Sequence, residues 1–242
     1  MSIADKILAL QTDSAAIASA IAAKGVTVPA GSGFDDYASL IGQISGGGGG
    51  GSGDCSRISY LESTGTQYVD TKYVPTPNTS LILDAAMTKI EGVTMGGLYR
   101  SASPIQRFNI GIYQNQWHFG ISNNNASNKW KNFTSPATDT QRHTFEIRGG
   151  GYCAVDNTTQ QITVDNSNSY LHSIFLFARN TAGTVGANAS VRIYETIIKE
   201  NGTIVRDYVP YRIGQTGVLY DTINGGILLN LGTGSFTLGP DV

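Results

Sequence analysis

The sequence has few charged residues, no strong net charge of either sign and no long apolar run. Charged side chains make up 14% of the 242 residues, whereas soluble domains average roughly 25%. The net charge of -2 provides no basic surface for nucleic acid, and no stretch approaches the roughly 18 apolar residues of a membrane-spanning helix. The N-terminus also lacks the basic-then-apolar order of a signal peptide. We therefore expect no nucleic-acid partner, no membrane insertion and no signal-directed secretion.

Cysteine is equally scarce. The two cysteines, Cys55 and Cys153, lie far apart and have no C-x-x-C or Cys/His spacing, which excludes a disulfide framework and a zinc site of familiar spacing. Two free thiols and a single disulfide both remain open. Calcium ligands in EF-hand spacing are absent, and the Asp and Asn residues at Asp156 and at 165–168 are types that ordinary turns favour. We predict no metal and no cofactor.

The first part of the chain has a helical period. Residues 2–24 are predicted to form a helix, because Ser2 and Asp5 resemble a capping box and apolar residues recur at helical spacing. Five of these residues occupy heptad a and d positions: Ile3, Ile7, Leu10, Ile17 and Ile21. This narrow stripe packs either on a second predicted helix after Ser32 or on other copies of the chain. Isoleucine at both a and d favours more than two strands, so we predict a homo-oligomer, a trimer, held by residues 1–45.

A glycine-rich linker follows the helical part. Six consecutive glycines, Gly46–Gly51, are followed by Ser52 and Gly53. Such a segment favours no regular structure and tethers its neighbours without orienting them. We therefore predict three parts: a helical attachment and oligomerisation module at 1–45, a linker at 46–53 and a β domain at 54–242.

The residues after the linker have the period of β-strands. Apolar residues alternate with polar residues or glycine on both sides of Gln114-Asn115 in "RFNIGIYQNQWHFGIS", which predicts a hairpin with one apolar face. The same alternation occurs in "SLILDAAM", and a central buried strand is predicted at "SIFLFA". Turns are predicted at Asp156-Asn157, Asn201-Gly202 and Asn224-Gly225. Many short strands without helices between them indicate a mainly β fold, and the domain length suits a two-sheet antiparallel jelly-roll sandwich.

Two segments of the β domain carry a resemblance to a known fold family. They are "ISYLESTGTQYVDTKYVP" and "RIYETIIKENGTIVRDYVPYRIGQTGVLYDTINGGILLNLGTGSFTLG". Together they resemble the concanavalin A-like, or laminin G-like, β-sandwich of surface and phage proteins of gut bacteria. Between them, "RHTFEIRGGGYCAVDNTT" is similar to the strand-turn-strand centre of that fold, with Asp156-Asn157 in place of the usual Asp-Gly turn. The resemblance covers residues 57–239 in outline. Within it, Arg206 and Asp207 are interpreted as a structural pair.

The N-terminal part carries a second resemblance. The segment "ILALQTDSAAIASAIAAKGVTVPAGSGFDDYASLIGQI" is similar to helix-Pro-Gly-helix segments of tail-fibre and virion-appendage proteins of phages and prophages, which often precede a variable outer domain. The two resemblances together imply a virion fibre, of the tail-fibre or head-fibre kind. Its helices would attach to other virion proteins, and its lectin-like sandwich would contact the host surface, with glycan as the expected ligand. The expected location is the virion, and attachment to head, tail or baseplate remains open.

Two other functions remain as alternatives, and neither brings predicted catalytic residues. One is a purely structural decoration fibre without a host ligand, and the other is a bacterial surface lectin or glycan hydrolase. The histidines have no triad or metal spacing, and His118 is expected to point from its hairpin into solvent. The hydrolases that this fold resembles carry their acids as E-x-D-x-x-E, whereas the five glutamates here are scattered. We expect no enzymatic activity.

A candidate sugar-binding segment lies in "ISNNNASNKWKNF". Carbohydrate sites combine a flat aromatic side chain with groups that hydrogen-bond hydroxyls, and Trp130 lies here among asparagines in a predicted polar loop. Two roles of Trp130 remain open: a stacking surface for a sugar ring, or an anchor that fills a gap at the sandwich rim. Trp117, by contrast, is predicted to be buried. The candidate ligand-binding residues are Trp130, Asn125, Asn128, Tyr113, Tyr99 and Arg100.

Overall fold

The computed structural model describes residues 14–15, 17–23, 25–32, 36, 55–122, 130–136, 139–164 and 169–242. The chain divides into two units, residues 1–54 and 55–242. Strands dominate the described residues and form two sheets, which confirms the prediction of a mainly β protein with two antiparallel sheets.

In the first unit, residues 14–15 and 17–22 have helical backbone. Ile21 and Val26 are buried there, with Ile17, Ala18 and Val28 packed against them. Three residues of the predicted oligomerisation stripe, and the whole predicted linker at 46–53, lie outside the described residues: Ile3, Ile7 and Leu10. The oligomeric helical module therefore stays a prediction.

The second unit contains nineteen strands within its described residues. They are β1 (Cys55–Arg57), β2 (Leu61–Thr64), β3 (Val69–Asp70), β4 (Thr79–Met87), β5 (Thr94–Arg100), β6 (Gln106–Tyr113), β7 (Gln116–Ser122), β8 (Trp130–Pro136), β9 (Arg142–Arg148), β10 (Tyr152–Val155), β11 (Thr158–Gln161), β12 (Phe175–Leu176), β13 (Arg179–Thr181), β14 (Thr184–Gly186), β15 (Ser190–Glu200), β16 (Thr203–Ile213), β17 (Thr216–Asp221), β18 (Ile227–Leu228) and β19 (Thr237–Leu238).

The strands form a large sheet and a small sheet. The large sheet has the order β11-β10-β9-β4-β15-β16-β17-β18, with β1 paired to β16 and β2 paired to both β15 and β19. The small sheet has the order β14-β13-β5-β6-β7-β8, with β12 paired to both β3 and β5. β13 runs parallel to β5, and the other pairs described in the small sheet are antiparallel.

The two sheets share one hydrophobic core. The predicted alternation in β4 is confirmed, since Leu81 and Leu83 are fully buried in the same cluster as Phe108 and Ile110 of β6. The rings of Trp117 in β7 and Phe145 in β9 lie 4.8 Å apart, centre to centre. The sheets therefore pack face to face, as in a β-sandwich. Burial of each large apolar side chain contributes about 1.5–3 kcal/mol.

The predicted turns have the expected positions. Two-residue turns connect antiparallel strands at three of them: Gln114-Asn115, Asp156-Asn157 and Asn201-Gly202. At the first, both residues have left-handed φ values, 52° for Gln114 and 57° for Asn115. This backbone matches the right-handed twist of the flanking strands. Asn224-Gly225 lies in a longer connection between β17 and β18.

Two sequence predictions are wrong in detail, and one open question is answered. The segment "SIFLFA" is buried as predicted, but its strand is only the two residues of β12, because Phe177 takes a left-handed φ of 65° that ends the extended backbone. Arg206 forms its ion pair with Asp221, at 3.5 Å, and not with Asp207. Both cysteines are free thiols, Cys55 exposed and Cys153 buried.

Candidate functional site

The outer face of the small sheet carries a concavity of about 290 Å3. Side chains alternate across a strand, so the burial of Phe108 and Ile110 in the core directs Arg107 and Asn109 to this outer face. We call it the small-sheet concavity. The lining side chains used below are those of Arg107, Asn109, Tyr113, His118, Trp130 and Arg179.

The β6–β7 turn determines which residues share this face. Because Gln114-Asn115 is a two-residue turn, Tyr113 pairs with Gln116, and the register then places Asn109 opposite Gly120. A shift of one residue would move every outward side chain of β7 into the core. The turn, which is readable from the sequence, therefore positions much of the site.

Two half-exposed aromatic side chains form one wall of the concavity. Trp130 is 46% exposed and Tyr113 is 50% exposed, and their ring centres lie 6.3 Å apart. Trp130 is the first residue of β8, so the prediction that it lies in a polar loop is wrong. Its pairing with Gly120 of β7 places it on the outer face, where it also lies 5.6 Å from the ring of His118.

Arg107 forms the floor of the concavity. A Cβ atom at Gly120 would overlap Cγ and Cδ of Arg107, so the aliphatic part of the arginine lies directly over the glycine backbone. The guanidinium lies 4.7 Å from the ring centre of Tyr99, and the guanidinium of Arg179 lies 4.9 Å from the same ring. Burial lowers the pKa of both arginines, and the charge of Arg107 lowers the pKa of Arg179 further. Both stay protonated, since arginine is charged at any physiological pH.

His118 lies beside Arg107 and is buried, with 8% of its surface exposed. The prediction of a solvated histidine is wrong, because the rings of Trp130 and Tyr113 both pack against it on the outer face. Burial is the main cause that lowers the pKa of His118, and the charges of two arginines lower it further. The neutral ring donates from Nδ1 to Asn132 Oδ1 at 2.8 Å, and its Nε2 accepts from Arg107 Nη1 at 3.2 Å.

The two arginines of the concavity have neutral partners, His118 for Arg107 and Thr181 for Arg179, but no acidic ones in the described part of the chain. Neither Arg107 nor Arg179 has a carboxylate within 4.0 Å among the residues that the structure describes. Arg107 Nε and Asn109 Oδ1 are buried and lack a hydrogen-bond partner in the chain. Buried polar groups in folded proteins are almost always paired with protein or water. These atoms are therefore available to a ligand or to water.

The remaining predicted site residues are only partly assembled here. Tyr99 lies beneath the two guanidiniums and supports the floor. Arg100 does not join the site, because its Nη1 donates to the carbonyls of Ala102 and Pro104, at 3.2 and 2.9 Å. Asn125 and Asn128 lie outside the described residues.

Sequence reasoning missed four residues of the concavity: Arg107, Asn109, His118 and Arg179. One signal was available, because residues 92–138 and 166–194 contain no Asp or Glu, and these segments supply β5 to β8 and β12 to β14. An arginine on such a sheet has no neighbouring acid within its own segment. Arg107 and Arg179 both lie in these acid-free segments, although Arg192 of the second segment still pairs with Glu62 of β2.

The described lining of the concavity contains aromatic, cationic and amide side chains. No Asp or Glu is found among the described residues that line the concavity, so it lacks the paired carboxylates of glycoside hydrolases. Within the described ranges no cluster of three or more His, Cys, Asp or Glu residues could hold a metal ion. In the same part of the chain, no helix has the length and apolar character needed to cross a membrane.

No protein-family model and no curated protein matches this sequence. The function is therefore inferred from the geometry of the small-sheet concavity and from the sequence resemblances.

Proposed function

We propose that this chain is a structural virion fibre or appendage protein whose β-sandwich unit binds a glycan on the host-cell surface. The observation that carries the glycan part is the small-sheet concavity, where the half-exposed rings of Trp130 and Tyr113 stand beside unpaired polar atoms of Arg107 and Asn109. Aromatic rings pack against the apolar face of a sugar, and nearby polar groups bind its hydroxyls.

The proposal includes a finer assignment of the fold and the assembly. Two antiparallel sheets on one core support a concanavalin A-like jelly roll, and the helical backbone at 17–22 supports a helical attachment module. We propose that residues 1–45 hold a homotrimer and connect it to other virion proteins. Light scattering of the full chain should give the mass of three subunits. A monomer across micromolar concentrations would contradict the trimer.

The direct test of the glycan role is an array screen with the full-length protein. We expect binding to a defined subset of surface glycans and a loss of that binding in Trp130→Ala. Since Trp130 is 46% exposed, its truncation should cost less than about 1 kcal/mol of stability. An anchor at the sandwich rim would instead lose roughly 2 kcal/mol or more.

The matched control is Tyr152→Ala. Tyr152 is a half-buried aromatic residue on the large sheet with an arginine stacked on it, at 4.1 Å from Arg148. This variant should keep full glycan binding. An array without any bound glycan, or equal losses in both variants, would contradict the proposal.

One observation favours the alternative of a purely structural fibre. Four large apolar side chains of the C-terminal part are half exposed: Ile223, Ile227, Leu229 and Leu231. They lie in and around β18, the last strand in the order of the large sheet, and exposed apolar patches mark contacts with other proteins. If Leu229→Asp abolished assembly while no glycan bound the wild-type protein, the structural role would replace the binding role.

A further inference from the structure

Arg107 and Arg179 differ from most other arginines of the β-sandwich unit. Arg57 also has no ion pair among the described residues, but it is exposed on β1 of the large sheet. Five arginines form ion pairs with a carboxylate within 4.0 Å: Arg142, Arg148, Arg192, Arg206 and Arg212. Arg100 instead donates to backbone carbonyls. Arg107 and Arg179 have no carboxylate partner in the described part of the chain, although both are half-buried. Two desolvated like charges next to one another are unfavourable without a counter-ion.

The geometry concentrates this positive charge at one point. Both guanidiniums lie within 5 Å of the ring centre of Tyr99, and a neutral His118 accepts a hydrogen bond from Arg107. The nearest acids along the sequence are Glu91 and Asp139 for Arg107, and Asp165 and Glu195 for Arg179. The small-sheet concavity is therefore a partly desolvated anion site beside an aromatic wall.

A carboxylate suits this site. The planar guanidinium of arginine presents paired N–H donors that match the two oxygens of a carboxylate. The Nε–H of Arg107 is buried and has no hydrogen-bond partner in the described part of the chain. The volume of about 290 Å3 is near the lower end of the range for small-molecule sites, roughly 300–1,000 Å3. It suits a single small unit such as a sugar residue.

We infer that the bound glycan carries an acidic sugar whose carboxylate binds Arg107 and Arg179. This inference rests on the proposed glycan-binding function and specifies its ligand class. The ring of the acidic sugar packs against Trp130 and Tyr113, and Asn109 forms a hydrogen bond with a neighbouring hydroxyl of the sugar. The specificity of the site then has two sources: the positive charge of the arginines selects the carboxylate, and the aromatic wall selects the sugar ring.

The test uses the full-length protein on an array that carries neutral, carboxylated and sulfated glycans. The best-bound carboxylated glycan is then titrated against the protein beside its methyl ester, which has the same rings without the charge. Arg107→Met and Arg179→Met keep the aliphatic part of the side chain and remove the charged guanidinium. Arg148→Met, on the large sheet, is the control for the same change in net charge.

We expect preferential binding of carboxylated glycans. The methyl ester and both concavity variants should each weaken binding about tenfold to a hundredfold, the effect of losing a charge-assisted hydrogen bond. Arg148→Met should stay within about twofold of the wild type. If Arg107→Met fails to fold, Arg179→Met and the methyl ester still decide the question.

Three results would overturn the inference. Equal affinity for the acid and its ester, with Trp130→Ala still impairing binding, would leave the proposed glycan role and remove the acidic specificity. Binding of sulfated but not carboxylated glycans would show an anion site of a different chemistry. An array without any bound glycan would overturn the glycan-binding function itself, and the inference with it.

Discussion

The outer faces of the two sheets use arginine in different ways. On the large sheet, Arg142, Arg148 and Arg192 each stack on a tyrosine ring, at 4.0 to 4.8 Å, and each also forms an ion pair with a carboxylate on the same sheet. On the small sheet, two arginines share the single ring of Tyr99 and have no carboxylate partner among the residues that the structure describes.

The two sheets therefore differ in whether carboxylates of the described residues neutralise the charge of the stacked arginines. On the large sheet, the carboxylate of Glu62 or Asp84 satisfies the arginine donors within the chain. On the small sheet, Arg107 Nη1 contacts His118 Nε2 and Arg179 Nε donates to Thr181 Oγ1, both neutral partners, and Arg107 Nε lacks a partner in the described part of the chain. Folding leaves such polar groups unpaired mainly where a ligand or water completes them. The contrast therefore supports the small sheet as the binding face that we propose.

A side chain added at Gly120 should have the largest effect on the difference between the two sheets. In Gly120→Val, the new side chain would occupy the position of Arg107 Cγ and Cδ, so the arginine must leave the floor of the concavity. Overpacking of this kind costs about 1–3 kcal/mol, and glycan binding should be abolished. Urea unfolding and titration with the glycan found on the array measure the two effects.

The control for that change is Gly150→Val. A Cβ atom at Gly150 meets no heavy atom within 4 Å, so stability should change by less than about 0.5 kcal/mol. Unchanged glycan affinity in Gly120→Val would show that Arg107 is not part of the site.

A carboxylate added to the small sheet should make it resemble the large one. Asn109 lies two residues from Arg107 on the same outer face, so Asn109→Asp would supply the missing counter-charge. We expect affinity for an acidic glycan to fall at least about tenfold, because the internal carboxylate competes with the ligand. Calorimetric titration measures the change. Asn157→Asp, in an exposed turn of the large sheet, adds the same charge and should have no such effect.

The two histidines with shifted pKa values should give opposite pH dependence. Burial lowers the pKa of His118, so its contribution to stability is complete above the ordinary value of about 6.5 and is lost as the pH falls below it. Burial also acts to lower the pKa of His143, but the hydrogen bonds to Asp139 and Asp156 outweigh it and raise the pKa. The contribution of His143 is therefore complete below about pH 6.5 and is lost as the pH rises through the raised value.

Unfolding by urea between about pH 5 and about pH 8 measures this linkage. His118→Gln should remove part of the loss of stability at low pH, and His143→Gln should remove part of the loss at high pH. Each variant is the control for the other. The same slope of stability against pH in both variants would contradict the assignment.

Loss of one ion pair on the large sheet should have the smallest effect. Arg192 Nε lies 2.6 Å from Glu62 Oε2, and both side chains are partly exposed. Such pairs contribute at most about 1 kcal/mol, so Glu62→Gln should lower stability by that amount or less and leave glycan binding unchanged. A double-mutant cycle with Arg192→Met isolates the pair. A large loss of glycan affinity would show that binding is not restricted to the small sheet.

Much of the fold was predictable because strand alternation and turn formation depend on residues that are neighbours along the chain. Alternation identified β4 and the β6–β7 hairpin, and the Gln114-Asn115 turn gave their register. The pattern failed at β8, where Lys131 takes an inner position but stays exposed, and where a bulge between Gln116 and His118 interrupts the pairing. Trp130 therefore looked like a loop residue. The alternation pattern failed again at "SIFLFA", where Phe177 ends the strand after two residues.

The candidate site was predictable only in its aromatic half. Trp130 and Tyr113 were candidates because aromatic residues in a polar setting suggest sugar stacking. Arg107 and Arg179 come from β6 and β13, and they meet because β13 pairs in parallel with β5 beneath them. No period in the sequence indicates that β13 pairs with β5. The burial of His118 likewise depends on the ring of Trp130, which belongs to another strand.

The sequence by itself determined the two-residue period, the turns, the mainly β composition and the absence of acids from the segments that supply β5 to β8 and β12 to β14, because each depends on neighbours along the chain. Only the tertiary structure decided which arginines meet a carboxylate and which do not. An ion pair depends on distances between strands that are remote in sequence, and those distances exist only after the sheets have formed. The unpaired arginines at the floor of the small-sheet concavity are a product of that pairing, and they define the site proposed for the glycan.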